Sequence, residues 1–326
     1  MTEQRRARAL GIFSGGLDSM LACLLLKRAG VAVEVVTFAT PFFGPERALR
    51  SARHIGVPLR VAAVGPEHLE LVKNPPHGYG SNLNPCIDCH AFMFQRAGAI
   101  LQAEGFDLLF SGEVLGQRPL SQNKQALALV AKLSGCGELI LRPLSAQNLP
   151  PTALETSGLV DRAKLGAFSG RSRKPQMALA AELGVTDYPA PAGGCLLTEP
   201  GFSRRLKDLL QHEPGAGVEQ VELLKHGRHL RLSPRAKLVV GRNQADNQAL
   251  EQAAPPQALR LRALGAPGPL GLYLGPLEAA ELLLAAELLA GYGKAAAGDE
   301  VQVQVEGGPV LSVQARDKRS AAPLLL

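Results

Sequence analysis

The chain has 326 residues, 46% hydrophobic and 20% charged, with a formal net charge of +6. This composition excludes a disordered chain, the length suggests two domains rather than one, and the basic excess permits a polyanionic partner. The absence of Trp and an aromatic content of 4% weaken any reading in which nucleic-acid bases stack on aromatic platforms.

Met1-Thr2-Glu3-Gln4-Arg5-Arg6-Ala7-Arg8 is basic, but no long apolar run follows, so no signal peptide is expected. The most apolar late stretch, Leu277 to Leu289, is interrupted by Glu278, Glu281 and Glu287 and is too short to span a bilayer. A cytoplasmic protein without a membrane partner is expected. Five cysteines then argue for thiol or metal chemistry rather than a disulfide framework.

In chain order, Ala9 to Phe13 reads as a strand and Met20 to Arg28 as a helix, with Ser14-Gly15-Gly16-Leu17-Asp18-Ser19 between them. Two glycines let the backbone bend sharply and approach a ligand, and Ser and Asp stand where helix caps belong. Free N–H groups at the positive end of the helix dipole make an anion site, with phosphate the expected guest. The loop lacks the Lys of a Walker A loop and does not match G-x-G-x-x-G. Val31 to Phe38 reads as a buried strand, Pro45 to His54 as a helix and Leu59 to Ala63 as a strand. This alternation predicts an α/β class with an open parallel sheet, helices on both faces and ligands at the carboxyl ends of the strands.

From Gly65 to Asn84 an irregular loop is expected, leading into Asn84-Pro85-Cys86-Ile87-Asp88-Cys89-His90. A helix from Ala91 to Glu104, a strand from Asp107 to Ser111, the polar segment Gly112 to Gln122, a helix from Lys124 to Leu133 and a strand from Glu138 to Leu144 follow. The stretch from Ser145 to Pro200 is turn-rich, with a helix from Lys174 to Leu183. It carries Gly170-Arg171-Ser172-Arg173-Lys174 and Pro189-Ala190-Pro191-Ala192-Gly193-Gly194-Cys195. After a helix from Gly201 to Leu210, Glu213-Pro214-Gly215-Ala216-Gly217 marks the expected boundary between domains 1–212 and 213–326. The second is a smaller α+β domain with a helix from Val218 to Lys225, a strand from Lys237 to Val240, a helix from Pro276 to Leu289 and a closing strand from Glu300 to Val305. Between Lys225 and Arg242 the basic residues Lys225, Arg228, Arg231, Arg235, Lys237 and Arg242 occur without an intervening acid. Such a run is either a solvated face or an electrostatic footprint for RNA phosphates.

The cysteines admit several readings. Cys86-x-x-Cys89 followed by His90 spells a haem-attachment motif, but that chemistry belongs to exported proteins. A thioredoxin-like pair belongs at the first strand–helix junction, which the glycine loop occupies. A zinc site would need a fourth ligand such as His90 or His77. Cys86, Cys89 and Cys195 together could hold a [4Fe–4S] cluster by three thiolates, leaving one iron able to bind sulfide. A persulfide on one thiol with a second as resolving thiol is the competing scheme. The three lie in loops rich in Pro and Gly, which favours the cluster. Cys23 sits on an apolar helix face and reads as core; Cys136 is open.

These motifs carry a resemblance. Ser14 to Ser19 resembles the pyrophosphate loop of the PP-loop ATP pyrophosphatases, and C-x-x-C plus one distant Cys resembles the cluster-dependent tRNA thiolation enzymes of that superfamily. Gly112-Glu113-Val114-Leu115-Gly116-Gln117 with Ser121-Gln122 is similar to a stretch of the tRNA 4-thiouridine synthetase catalytic domain. Over residues 8 to 200 the likeness rests on these three motifs. Gly241-Arg242-Asn243 with Asn247 and Leu250 is similar to the signature of the NFACT-type RNA-binding domain. Few residues precede Arg8, so the C-terminal part is the expected RNA holder.

The resemblance implies an adenine nucleotide alpha hydrolase-like fold and an ATP-dependent tRNA sulfurtransferase that adenylates a uridine or cytidine carbonyl. ATP and Mg²⁺ would lie against Ser14, Gly15, Gly16, Asp18, Ser19, Gly112, Glu113 and Gln117. Cys86, Cys89 and Cys195 would handle sulfur delivered by sulfide, a cysteine desulfurase or a carrier protein. A PP-loop enzyme using a nitrogen nucleophile and a non-catalytic ATP- and RNA-binding module are the alternatives.

Overall fold

The computed structural model describes residues 6–190 and 194–326; Pro191-Ala192-Gly193 of the expected turn and the basic opening Met1 to Arg5 lie outside the described residues. The chain divides into two compact units, Met1–Thr198 and Glu199–Leu326. The division therefore precedes the helix Pro200–His212, whereas the sequence places it after that helix. Asp208 on this helix is paired with Arg231, which ties it to the second unit.

The first unit comprises β1 (Arg8–Ile12), α1 (Leu17–Arg28), β2 (Ala32–Ala39), α2 (Glu46–His54), β3 (Leu59–Ala63), α3 (Gly65–Lys73), α4 (Cys86–Glu104), β4 (Leu108–Ser111), α5 (Lys124–Ser134), β5 (Ile140–Leu141), α6 (Ala153–Thr156) and α7 (Lys174–Glu182). Its five strands are parallel in the order β3-β2-β1-β4-β5. One core packs Leu21, Leu25, Ala48 and Leu179 of α1, α2 and α7 against the sheet, and another packs Phe94, Leu101 and Val130 of α4 and α5. Helices thus cover both faces, as the alternating pattern predicts. The chain leaves β1 toward β2 and returns on its other side as β4, so the switch of direction falls at the carboxyl ends of β1 and β4. Gly11 of β1 pairs in register with Phe110 of β4, and a Cβ there would overlap the Phe110 ring.

The second unit comprises α8 (Pro200–His212), α9 (Val218–Leu223), β6 (Arg228–Ser233), β7 (Ala236–Val240), α10 (Gln244–Ala253), β8 (Leu259–Ala263), β9 (Gly271–Leu274), α11 (Ala279–Tyr292), β10 (Glu300–Val305) and β11 (Val310–Gln314). Its antiparallel sheet has the order β11-β10-β8-β9-β7-β6. Leu282, Ala285 and Leu289 of α11 pack on Leu238, Leu261 and Val303. Leu223 and Leu250 of α9 and α10 pack with Val239 and Leu272.

Three expectations are corrected. Gly65–Lys73 is a helix, not loop: Pro66 pre-sets its first turn and His68, Leu69 and Val72 turn inward. α4 begins at Cys86, so the C-x-x-C lies inside a helical turn rather than ahead of one. Glu300–Val305 is not the last strand, since it pairs with β11.

Candidate active site

The glycine loop closes β1 onto α1 by geometry that only Gly satisfies. Gly15 has φ +71°, and a Cβ on it would lie 2.7 Å from the Arg47 carbonyl oxygen and 2.8 Å from Ala48. Ser51 Oγ donates to the Gly15 carbonyl at 2.8 Å, fastening the loop to α2. Gly16 is the N-cap of α1, and no side chain caps it. This corrects the capping roles expected of Ser and Asp: the Ser14 hydroxyl accepts from the Gly16 N–H at 3.3 Å, and Ser19 Oγ donates to the Gly16 carbonyl at 2.8 Å. The first amides of α1 therefore remain available to an anion.

Asp18 points across to the β4 loop, where Gln117 Nε2 donates to its Oδ2 at 2.9 Å. Among the described residues, its Oδ1 is buried without a hydrogen-bond partner, and so are Gln117 Oε1, Gln122 Oε1 and both amide atoms of Gln176. Burial pushes the Asp18 pKa up, and Gln117, Arg173, Arg118 and Gln176 oppose the rise. A patch of orphaned, oxygen-rich polar atoms beside open helix amides suits a hydrated or metal-neutralised anion. Gly112 serves by closeness: a Cβ there would stand 2.5 Å from the Ser19 nitrogen.

Glu113, expected to line the nucleotide site, is a buried hub. It accepts from Arg142 Nε at 2.9 Å, Ser111 Oγ at 3.0 Å and His90 Nδ1 at 2.9 Å. Burial alone would raise its pKa, but Arg142 and His90 hold it at about 2. An ionised carboxylate only accepts, so the proton sits on His90 Nδ1. The network ties the residue after Cys89 to the loop that carries Gln117.

Cys86 and Cys89 stand in the first turn of α4, three residues apart and on one face. Asp88 between them accepts from the His77 amide at 2.9 Å and its Nδ1 at 2.6 Å, anchoring the preceding loop. The Cys195 loop is held by the Leu196 N–H to Phe42 O bond at 2.9 Å and by Asn82 Nδ2 to Thr198 O at 2.8 Å. The three thiols are near enough to feel one another. Burial pushes Cys89 well above the usual thiol range and Cys195 and Cys86 add to it; burial pushes Cys195 up to about 11, with Cys86 adding. Cys89 is the anchored member: His68 Nε2 lies 3.1 Å from its Sγ, and Phe42, Phe43 and Phe92 ring the imidazole. Among the described residues no group of three or more His, Cys, Asp and Glu side chains is set to hold a metal ion.

Arg118 follows Gln117 on the β4 loop, and its positive charge opposes the rise that burial imposes on the Asp18, Cys86 and Cys195 pKa values. Arg118 lies within the polar segment 112–122 and Arg173 within the loop 170–174, where the sequence gives neither a role, and nothing in it marks His68, Arg142 or Gln176. Only the basic character of the 170–174 loop signals Arg173. Cys23 is core, and burial raises its pKa. Cys136 packs on Gly98, where a Cβ would collide with its Sγ.

The basic run of the second unit is largely paired. Lys225 meets Glu222, Arg231 meets Asp208, Arg235 meets Glu278 at 3.5 Å, and Arg242 meets Asp246. Arg228 lies over the Tyr292 ring at 5.1 Å, and Lys237 is buried. Exposed cations facing solvent are therefore fewer than the linear run suggests.

Residues 227–316 match the family model of the NFACT protein RNA binding domain. A probable tRNA sulfurtransferase of Lactobacillus helveticus is 28% identical over 150 residues, covering 43% of this chain and 35% of that relative. One from Thermotoga maritima is 32% identical over 121 residues, covering 34% and 30%. The chain thus spans about a third of the length of these curated relatives. A solved 4-thiouridine synthetase–RNA complex with bound ATP aligns at TM-score 0.34 and 21% identity over 55% of this chain and 52% of that one. The family model and the curated relatives bear out the motif resemblance: over part of its length the chain is similar to probable tRNA sulfurtransferases and, toward its C-terminus, to an NFACT RNA-binding domain. No helix among the described residues is long and apolar enough to cross a membrane.

Proposed function

We propose that this chain is an ATP-dependent tRNA sulfurtransferase. The observation that supports it best is geometric: at the glycine loop the uncapped amides of α1 stand beside Asp18, whose Oδ2 accepts from Gln117 Nε2 of the β4 loop at 2.9 Å. The open amides at the start of α1 would hold the pyrophosphate portion of ATP, with the helix dipole behind them. Asp18 Oδ1 and Gln117 Oε1, both lacking partners, are the oxygens that fit Mg²⁺, which offsets phosphate charge when bound. The base carbonyl oxygen of a uridine or cytidine attacks the α-phosphorus; the bond to the bridging oxygen breaks and pyrophosphate leaves. A sulfur nucleophile then displaces AMP from the activated carbon.

Cys86, Cys89 and Cys195 would hold the sulfur chemistry. Three thiols are the donor set of a [4Fe–4S] site held by three thiolates; burial, with mutual repulsion added, disfavours their thiolates, and a cationic iron core would offset both. Such a cluster supplies an iron that can bind sulfide. Arg118 would steady the anions that gather here, and Glu113 would hold His90 and α4 in place. The test pairs iron and acid-labile sulfide analysis, under strict anaerobiosis, with mass spectrometry of tRNA nucleosides. Wild type should carry about four irons per chain, lose them in Cys195→Ser, and yield thiolated tRNA with AMP and pyrophosphate. Thiolated tRNA from iron-free protein would replace the cluster by a persulfide relay. AMP and pyrophosphate without any thiolated nucleoside would overturn the sulfurtransferase reading.

A further inference from the structure

The imidazole beside Cys89 stands among aromatic rings rather than polar groups. His68 lies on α3 and is fully buried, with its ring centre 5.6 Å from Phe42, 5.6 Å from Phe43 and 6.0 Å from Phe92. Phe42 and Phe43 come from the turn after β2, and Phe92 lies one helical turn beyond Cys89 on α4. The His68 Nε2 is 3.1 Å from Cys89 Sγ, whereas its Nδ1, among the described residues, is buried with no hydrogen-bond partner. Asp88, the acid next to Cys89, is engaged by the His77 amide and ring.

Among the described residues the ion pairs made by histidines belong to His77, His90 and His212, and no carboxylate pairs with His68. A charged imidazolium among phenyl rings would be costly, so the ring is neutral and carries one proton. A proton on Nδ1 would leave a buried donor with no acceptor, and the bond to sulfur would fall to the weak S–H. A proton on Nε2 points the stronger N–H at Sγ. The preference sharpens when Cys89 is a thiolate, which only accepts, because a hydrogen bond to an anion is roughly twice as strong as a neutral one. Cys86 and Cys195 are half-buried, and among the described residues no imidazole lies within hydrogen-bond distance of either.

We propose that His68 is a positioning residue for the sulfur chemistry: its Nε2–H donates to Cys89 Sγ and holds that sulfur, the most hidden of the three, in a single orientation. The proposal rests on the sulfur-handling role given to Cys89 above, whereas the hydrogen bond itself does not. Leu would fill the same space without an orphaned nitrogen, so packing does not account for the imidazole, and what it gives the sulfur does. A donor on a ligating sulfur also favours the electron-rich, reduced state of an iron–sulfur group bound there.

The experiment uses the full chain under strict anaerobiosis: wild type, His68→Leu, which removes the donor, and His68→Gln, whose amide restores one. In the protein as isolated, a long-range proton–nitrogen correlation spectrum, with His68 assigned by its absence from the Leu variant, should show a neutral ring protonated at Nε2. After incubation with ferrous iron and sulfide, wild type should hold iron against a chelator about tenfold or more better than the Leu variant. The midpoint potential should fall in the Leu variant, and the Gln variant should return toward wild type in both respects. A His68 ring protonated at Nδ1 overturns the proposal, and so does a Leu variant with wild-type iron retention and potential. A loss that the Gln variant does not restore assigns His68 to packing alone and overturns it equally. Failure of wild type to take up iron would count against the cluster reading, and the ring spectrum would still decide whether His68 donates to Cys89.

Discussion

At the scale of single residues, the candidate site depends on atoms that are missing and on atoms left over. Gly112 is there because the Ser19 amide needs the space, so Gly112→Ala should displace the first turn of α1. The expected result is at least a tenfold loss of ATP affinity with a stability cost of about 1–3 kcal/mol for the overpacking. Equilibrium binding and thermal unfolding of that variant check both. Asp18 is the opposite case, an acid whose pKa burial raises. The sign follows: ionising it costs stability, a cost absent at low pH and incurred as pH rises through its folded pKa. Asp18→Asn should therefore leave the midpoint of unfolding at pH 7 unchanged or higher while AMP and pyrophosphate formation disappears. Retained turnover would remove Asp18 from the reaction. Such a trade of stability for a charged group is expected where a ligand completes the site.

At the scale of elements, Glu113 joins β4 to β5 through Arg142 and to α4 through His90, and it is the buried charge whose loss should be felt farthest. Glu113→Gln leaves Arg142 buried without a counter-charge and should destabilise by about 3–5 kcal/mol. Its folded pKa of about 2 lies below the ordinary value of 4.5. The stability it contributes is thus complete above about 4.5 and lost as pH falls toward 2. Acid unfolding of wild type should steepen in that window, and the Gln variant should show a flatter profile there. These elements also show what a sequence makes legible. The Gly-Gly turn, the alternating strands and the C-x-x-C are local patterns and were readable as such. The helix Gly65–Lys73 was hidden because its three inward residues are crowded by Pro and charged neighbours. The partners of Arg231 and Arg235 lie 23 and 43 positions away, so a run that looks unopposed in sequence is neutralised in space. His68 gave no signal at all, since a lone His on an apolar helix face is ordinary until a thiol is found beside it.

At the scale of the whole molecule, each unit has its own apolar interior. The first unit packs on Leu10, Leu21, Phe94 and Phe110, the second on Leu238, Leu261, Tyr273 and Leu289. Two separate cores need not melt together, and a single unfolding midpoint is then not a defined quantity. The ATP proposed above belongs to the amides of α1, in the first unit alone. A ligand that binds only the folded form of one unit stabilises that unit by about 2.7 kcal/mol at a hundred times its dissociation constant. Calorimetry of the full chain should accordingly resolve two transitions. ATP with Mg²⁺ should raise one of them and leave the other where it is. Asp18→Asn should abolish that shift. A single transition moved as a whole by ATP would mean that the two cores unfold as one cooperative unit.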